Sequence, residues 1–334
     1  MHDVARAAGV HQTTVSLALR NHRSLPLATR TRIQAVADKL GYRPNPFVSA
    51  WVSSRRRSKQ GMYQPILAYV ETYFPGAQPY FDELQRGAAQ RAEELGYRLD
   101  PFQLGKGGVT SAQLDRILLA RGIHGMLIAP RTSGAELLEL SLDRRAAVGL
   151  GLSLKEPFIE RVSNDHFLST RMAFAKCREL GCRRIGFMNS LTHSERLEHR
   201  YLSGYLLAQT LLPDSEGHLT PLLYKDDVPK AKKTEVIERW IRRERPDVVL
   251  LGQSSDFGLV AVTLKRYSHV KLVLINAPER RESTAGIYEN PRHLGEIGIE
   301  LLVGKLHRNE YGALSHPQCH LVCGEWFDRT TSMV

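Results

Sequence analysis

Three short segments at the start of the chain repeat apolar residues at helical spacing. In the first, "DVARAAG", Val4, Ala5 and Ala8 share one face, and Asp3 is placed to cap the helix. Gly9 follows and can adopt the left-handed backbone conformation that ends helices. The pattern therefore predicts a short first helix that stops at Gly9.

The second segment begins near Gln12 and carries hydroxyl groups on its polar side. At helical spacing Val15, Ala18 and Leu19 turn inward. The outward positions are Gln12, Thr13, Ser16 and Leu17. A polar helix face this early in the chain suggests a partner outside the domain.

The third segment, "LATRTRIQAVADKLG", predicts a helix that Gly41 stops. Its inward positions at helical spacing are Ile33, Val36, Ala37 and Leu40. Two short helices joined by a tight turn and supported by a third form a helix-turn-helix. The alternative is an ordinary three-helix segment packed on the rest of the protein.

In a helix-turn-helix the second helix enters the DNA major groove. Gln12 and Thr13 are then placed to read base edges, and Gln can pair bidentately with adenine. Thr14, Ser16 and Asn21 could bind phosphates and fix the register.

Strand and helix patterns alternate from about Pro65 onward. "PILAYVE", "YRLDPFQL", "GIHGMLIAP" and "AAVGLGL" predict strands, and "YFDELQRGAAQRAEELG" predicts an amphipathic helix. After "VSNDHF" the pattern restarts with the strands "RRIGFMN", "LTPLLY", "PDVVLLGQ" and "VKLVLIN". We therefore expect an α/β fold with two doubly wound lobes and a cleft between them.

Charge is concentrated in the first sixth of the chain. The 334 residues carry a net charge of +11, and residues 1–60 contain 11 basic and 2 acidic side chains. A basic, patterned segment on a nearly neutral body indicates a polyanionic partner such as DNA, the alternative being a solvated basic tail.

The rest of the composition excludes several classes of protein. No apolar run approaches ~20 residues, the length that crosses a membrane, and "MHDVARAAGV" lacks a signal-peptide core, so we expect a cytoplasmic protein without membrane contact. Cys319 and Cys323, with His316 and His320, leave a zinc site as an alternative to the favoured reading of four reduced thiols. "GKGGVTS" is not a phosphate-binding loop. We therefore expect no cofactor, no metal and no catalytic residues.

The N-terminal motifs resemble the DNA-binding segment of the LacI/GalR family of bacterial repressors. The matching motifs are Asp-Val-Ala, Ala-Gly-Val, Thr-Val-Ser and Leu-Gly-Tyr-Arg-Pro-Asn, spread over about 45 residues. The chain departs from the family in three places. Only Met1 and His2 precede Asp-Val-Ala, His11 stands where a capping Ser is common, and Leu17 replaces a base reader and could contact a thymine methyl.

The segment "YRPNPFVSAWVSSRRRSKQG" matches the hinge of that family. Asn45 can cap a short helix that in the family forms on operator DNA and inserts an apolar side chain into the minor groove. Trp51 holds that position, although it could instead pack on the body, and Arg55 could bind phosphate or remain solvated. Together the motif and the resemblance give as DNA-binding residues Gln12, Thr13, Thr14, Ser16, Leu17, Asn21, Arg30, Tyr42, Asn45, Trp51 and Arg55.

The body resembles the effector-binding domain of the family, which is similar to periplasmic sugar-binding proteins. Tyr80 and Phe81 match an aromatic stretch at the cleft edge. Asp165 and Asp256 match acidic residues of the cleft, and Asn276 stands where an Asp pair is frequent. Tyr201 holds a position where the family has Arg, so that either Arg196 or Arg200 could replace that Arg.

The resemblance implies a DNA-binding transcriptional repressor that a small ligand, such as a sugar or related metabolite, regulates from the cleft. It implies a homodimer or higher oligomer on a near-palindromic operator. The expected domains are the helix-turn-helix at 1–43, the hinge at 44–62 and the body at 63–334. Lobe 1 would hold about 63–161 and 291–320, and lobe 2 about 162–290 and 321–334. The alternatives are an enzyme acting on a sugar or nucleoside and a transport binding protein.

Overall fold

The structure, a computed structural model, describes residues 2–19, 25–40, 64–71, 79–105, 107–131, 140–213, 217–281 and 284–329. The chain divides into two compact units. The first, termed the head, contains Met1–Pro65 and His307–Asn309. The second, termed the body, contains Ile66–Leu306 and Glu310–Val334.

Three described helices form the head: α1 (His2–Ala8), α2 (Gln12–Leu19) and α3 (Leu27–Lys39). Their small common core consists of Val4, Ala5, Ala8, Val15, Ala18, Ile33 and Ala37. Side chains of α3 also bind the ends of the other two helices. Arg32 Nη1 donates to the carbonyl of Ala8 at 3.0 Å, and Gln34 Nε2 donates to that of Ala18 at 2.9 Å. These bonds satisfy carbonyl groups at the helix ends that have no partner within their own helix.

Two expectations for the head are wrong in detail. Asp3 is not a cap, because α1 already begins at His2; its Oδ1 instead lies 3.8 Å from Arg6 in the first turn. Leu40 is 50% exposed rather than buried, because it follows the last turn of α3, beyond the buried Ala37. Gly9 has the left-handed conformation expected of it, with φ +63°.

The described part of the body contains twelve strands. They are β1 (Ile66–Glu71), β2 (Arg98–Gln103), β3 (Gly125–Ile128), β4 (Ala146–Leu150), β5 (Glu160–Asn164), β6 (Ile185–Ser190), β7 (Leu222–Tyr224), β8 (Val248–Leu251), β9 (Lys271–Ala277), β10 (Ala285–Tyr288), β11 (Cys319–Val322) and β12 (Glu325–Asp328).

Eight described helices accompany these strands. They are α4 (Pro79–Glu94), α5 (Ser111–Ala120), α6 (His166–Glu179), α7 (Leu191–Arg196), α8 (Arg200–Thr210), α9 (Lys230–Glu244), α10 (Phe257–Leu264) and α11 (Pro291–Arg308). A short 3-10 turn, Ser254–Asp256, precedes α10.

The strands form two six-stranded sheets with matching topology. Sheet 1 has the order β11-β5-β4-β3-β1-β2 and is parallel throughout. Sheet 2 has the order β12-β10-β9-β8-β6-β7, and β12 is its antiparallel edge. The central strands are apolar and buried, as parallel sheets covered on both faces require. The expected α/β fold with two doubly wound lobes is thus confirmed.

Within the described residues the chain passes between the sheets three times. It leaves β5 of sheet 1 and enters α6 at His166, which packs on sheet 2. It leaves β10 of sheet 2 and enters α11 at Pro291, then passes from β11 to β12 through residues 323 and 324. The sequence did not predict β5, β10, β11 or β12. Of these, β5, β11 and β12 contain at most two consecutive apolar residues, and β10 has only four residues.

A close helix contact in the first lobe depends on two glycines. A Cβ at Gly87 of α4 would lie 1.9 Å from the carbonyl oxygen of Arg292 in α11, and one at Gly295 would lie 2.1 Å from that of Leu84. Only glycine allows the two backbones to approach this closely. The contact holds α11 against the first lobe.

No described helix is long and apolar enough to cross a membrane. Within the same described ranges, no three His, Cys, Asp or Glu side chains are grouped to hold a metal ion. His320 Nε2 instead lies 2.8 Å from Glu160 Oε1.

We expect Gly87→Ala to destabilise the protein by about 1–3 kcal/mol, because the added methyl group meets backbone rather than a flexible side chain. Gly258→Ala is the matched control, since nothing lies within 4 Å of a Cβ at that helical position. The control should be neutral or stabilising by up to about 1 kcal/mol. Thermal unfolding of both variants compares them, and equal midpoints would contradict the close contact.

Candidate functional site

A cavity of about 300 Å³ lies between the two lobes of the body. Its lining combines hydroxyl groups, amides, charged groups and a few aromatic rings. The lining residues are Tyr80, Phe81, Pro130, Arg131, Gly151, Leu152, Ser153, Ser163, His166, Ser190, Thr192, His193, Arg196, Leu197, Tyr201, Asp226, Gln253, Ser254, Ser255, Asn276 and Glu289.

The topology of the sheets explains where the cavity forms. Arg131 follows β3, Ser190 ends β6, Gln253 follows β8, Asn276 lies near the end of β9 and Glu289 follows β10. All of these are carboxyl ends of parallel strands, where open α/β sheets bind their ligands. The two lobes present these ends to the same space.

A buried hydrogen-bond network around Glu289 forms the cavity wall. The Tyr201 hydroxyl donates to Glu289 Oε1 at 2.5 Å, and His166 Nδ1 lies 3.2 Å from the same oxygen. Asn164 Nδ2 donates to the Glu289 carbonyl at 2.7 Å and its Oδ1 accepts from the Tyr80 hydroxyl at 2.8 Å. Burial, and then the charge of Glu289, raise the pKa of Tyr80 and Tyr201 well above the ordinary value, so both hydroxyls remain donors.

His193 is a neutral ring in this wall. Burial, and then the charges of the neighbouring Arg196 and His166, lower the pKa of His193 to about 3. Its Nδ1 lies 3.1 Å from Asn189 Oδ1, an oxygen that can only accept. Nδ1 therefore carries the proton, and Nε2 is left as an acceptor.

Arg196 brings a partly buried cation to the cavity from the end of α7. Its Nη1 donates to the carbonyl of Arg131 in the other lobe at 3.2 Å. Burial lowers the pKa of the Arg196 guanidinium, and Asp226 partly offsets this. Asp226 is itself exposed at the cavity mouth, where its Oδ2 accepts from the Ser190 hydroxyl at 2.5 Å and from the Thr192 amide at 3.3 Å.

Two buried acceptor atoms of the lining have no hydrogen-bond partner among the described residues. They are Asn276 Oδ1 and Gln253 Oε1. Buried polar atoms are nearly always paired in folded proteins. Both atoms therefore indicate where donor groups of a ligand could bind.

Four of the ligand-binding residues expected from the sequence line the cavity: Tyr80, Phe81, Arg196 and Asn276. The other three lie outside its lining. Asp165 caps α6 by accepting from the Leu168 amide at 2.9 Å, and Arg200 Nη2 lies 3.5 Å from Glu198. Asp256 accepts from the Tyr224 hydroxyl at 2.7 Å, and one of its carboxylate oxygens lies 3.5 Å from Lys233 Nζ.

Sequence reasoning missed several residues that the fold brings to the cavity. Arg131, His166, His193, Gln253 and Glu289 were not among the expected ligand-binding residues, although all line it. Position at the carboxyl end of a strand was the available signal for Arg131 and Gln253. Glu289 gave no such signal, because β10 was not predicted.

In the head, the helix that the sequence predicted to read bases is α2 (Gln12–Leu19). Gln12 is exposed at its first position, Thr14 and Leu17 are partly exposed, and Arg30 lies partly exposed on α3. Thr13 and Ser16 belong to α2, but their side chains are outside the described part. Also outside the described residues are Asn21, Tyr42, Asn45, Trp51 and Arg55.

Comparison with known proteins finds relatives for both parts of the chain. Residues 1–45 match the family described as "Bacterial regulatory proteins, lacI family". The maltose regulon regulatory protein MalI of Escherichia coli (strain K12) is 27% identical over 203 residues, which cover 59% of this chain and 56% of that protein. The chain thus spans about half the length of the first curated relatives that it matches.

Solved structures share the fold over nearly the whole chain. A complex of the transcriptional regulator CelR with cellobiose has a TM-score of 0.59 at 18% identity and covers 98% of both chains. A lac repressor dimer bound to operator and the anti-inducer ONPF has a TM-score of 0.57 at 16% identity and covers 99% of this chain and 98% of that one.

The proteins named in these matches are regulators rather than enzymes. The motif match of the head and the two-lobed fold of the body agree with one another. Residues 1–45 thus carry the DNA-binding motif of the lacI family of bacterial regulatory proteins, and the body has the fold of the regulators that it resembles.

Proposed function

We propose that this protein is a sequence-specific DNA-binding transcriptional repressor whose operator affinity changes when a small ligand binds in the cavity. The observation that carries the proposal is the helix-turn-helix of α1, α2 and α3, which lies within the family match of residues 1–45. The concentration of positive charge in residues 1–60 supports it, because phosphate contacts supply much of DNA affinity.

The ligand half of the proposal rests on the cavity. A volume of about 300 Å³ suits a metabolite of monosaccharide or small disaccharide size, and the lining offers many hydrogen-bond groups. A similar fold holds cellobiose in the CelR complex. We therefore propose a sugar or a related metabolite as the effector.

Regulation requires that the ligand bind one arrangement of the protein better than another. A ligand with equal affinity for the DNA-competent and DNA-incompetent forms would change nothing. Because the cavity is lined from both lobes, a ligand there can favour one relative position of the lobes. That preference would be the source of the coupling.

The domain boundaries and DNA-binding residues expected from the sequence form part of the proposal. It places the reading head at 1–43, the hinge at 44–62 and the effector-binding body at 63–334. It includes a homodimer or higher oligomer on a near-palindromic operator in the cytoplasm. The lac repressor dimer on its operator supports this arrangement by analogy.

The first test is capture of genomic fragments by the full-length protein at near-physiological salt, where non-specific binding is weak. An enriched near-palindromic site is the expected result. On that site Gln12→Ala should lose about 1–3 kcal/mol of affinity and leave scrambled DNA binding unchanged. Arg55→Ala should weaken both duplexes by the same factor. Capture without any enriched motif, or an equal loss for Gln12→Ala on both duplexes, would contradict the proposal.

The second test measures thermal unfolding with glucose, maltose, cellobiose, glucuronate and glucose 6-phosphate. At least one should raise the midpoint and change operator affinity, since ligand at a hundred times its Kd adds about 2.7 kcal/mol of stability. Arg196→Met should lose this effect. Arg200→Met is the matched control, because Arg200 lies outside the cavity lining. Binding without any change in operator affinity, or turnover of a bound sugar, would favour the enzyme alternative.

A further inference from the structure

A surface at the edge of sheet 2 opposite the cavity is rich in basic side chains. It surrounds the amino ends of parallel strands, where Arg184 precedes β6, Asp247 precedes β8 and Lys271 begins β9. The cavity lies instead at the carboxyl ends of such strands. We term this surface the basic edge and define it as residues 183–184, 235–247 and 265–271.

The charge of the basic edge differs from that of the remaining body. The basic edge holds nine basic and four acidic side chains, an excess of five positive charges, whereas the rest of residues 61–334 holds 26 basic and 29 acidic ones. The carboxyl ends of α9 and α10 lie here, but a helix end carries the equivalent of only about half a negative charge. The two helix ends therefore offset about one of the five charges.

Ion pairs and a hydrogen bond join the parts of the basic edge into one surface. Glu238 Oε1 of α9 lies 2.6 Å from Nη1 of Arg266, which follows α10, and Glu238 Oε2 lies 3.5 Å from Arg242 Nη1. Arg184 Nε donates to the Arg245 carbonyl at 2.9 Å. The end of α9 is thus fixed against both the segment after α10 and the start of β6.

Three cations of the basic edge form no ion pair among the described residues: Arg239, Arg245 and Lys265. All three are exposed. Arg243 and Arg266 are paired with carboxylates, yet 62% and 72% of their side chains remain exposed. Guanidinium groups match phosphate oxygens with two parallel hydrogen bonds, so an exposed excess of them suits the phosphate backbone of a nucleic acid.

The composition of the basic edge favours nucleic acid over a protein partner. Within its residues, all of them described, no large apolar side chain is exposed. Protein–protein interfaces have cores that are depleted of charged residues and anchored by aromatic ones, whereas protein–DNA interfaces are more polar and more positive. The helix-turn-helix of the head makes duplex DNA the polyanion available to this chain.

We propose that the basic edge binds the phosphate backbone of duplex DNA without sequence preference, as a second DNA contact of this chain beside the helix-turn-helix. Phosphate contacts position a protein on DNA and carry no direct sequence information. This inference goes beyond the proposed function, because it requires neither an operator nor an effector. The second lobe would then bind DNA itself, so that one molecule could hold two duplex segments.

The first test is modification of arginine side chains by phenylglyoxal in the full-length protein, read by mass spectrometry, with and without a duplex of scrambled sequence. At about 50 mM salt, where phosphate contacts are strong, bound DNA should slow the modification of Arg239 and Arg245. Arg116, exposed on α5 of the first lobe, is the matched control and should react equally in both samples. Equal reactivity of Arg239 and Arg245 with and without DNA would refute the inference.

Two triple variants locate the contact. The first combines Arg239→Gln, Arg245→Gln and Lys265→Gln, and the control combines the exposed Lys225→Gln, Lys230→Gln and Lys232→Gln near the start of α9. The slope of log affinity for the scrambled duplex against log salt should become shallower by about 2–3 in the first variant, because each phosphate contact contributes about 0.9, and by less than about 1 in the control. Unchanged thermal unfolding confirms both folds. Since both variants lose the same charge, equal slopes would overturn the inference.

The same modification experiment separates DNA from a second copy of the chain as the partner. Slower modification of Arg239 and Arg245 as protein concentration rises in the absence of DNA would assign the basic edge to self-association and contradict the DNA contact. Because the scrambled duplex contains no operator, failure of this inference would leave the proposed function standing.

Discussion

The arrangement of the two lobes depends on how Glu289 is accommodated away from water. A buried carboxyl group is tolerated only when hydrogen bonds replace its hydration. Here those bonds come from Tyr201 and His166, while the Glu289 carbonyl binds Asn164 of the first lobe. The hydrogen bonds that stabilise buried Glu289 therefore also connect the two lobes. Loss of a partner from a buried charged group typically costs about 3–5 kcal/mol, so the network constrains the geometry of the cavity strongly.

Elements of the body could be predicted from the sequence where burial requires a continuous run of apolar residues. Continuous apolar runs such as "PDVVLLGQ" predicted β8 because strands covered on both faces require them. β11 alternates exposed and partly buried positions at the sheet edge, and β10 is a strand of four residues. Neither carries enough apolar sequence to be distinguished from a loop, which is why these two strands were not predicted.

The cavity was harder to predict than the fold, because its residues come from widely separated places in the chain, from Tyr80 to Glu289. The family resemblance correctly assigned Tyr80, Phe81 and Asn276 to the cavity, since those positions lie within the well-predicted α4 and β9. The resemblance did not decide whether Arg196 or Arg200 would bind the ligand. In the structure the turn between α7 and α8 separates them, and only Arg196 lines the cavity. Glu198 and His199 in that turn both have positive φ, at 53° and 55°, a backbone geometry that residue patterns do not reveal.

The three passages of chain between the lobes have a mechanical consequence. Three covalent connections in parallel resist twisting and separation, and leave bending about a single axis as the softest movement. His166 and Glu289, which both line the cavity, stand beside two of these connections. A bound molecule would therefore act close to the axis about which the two lobes bend. Small displacements at the ligand would correspond to large ones at the far ends of the lobes.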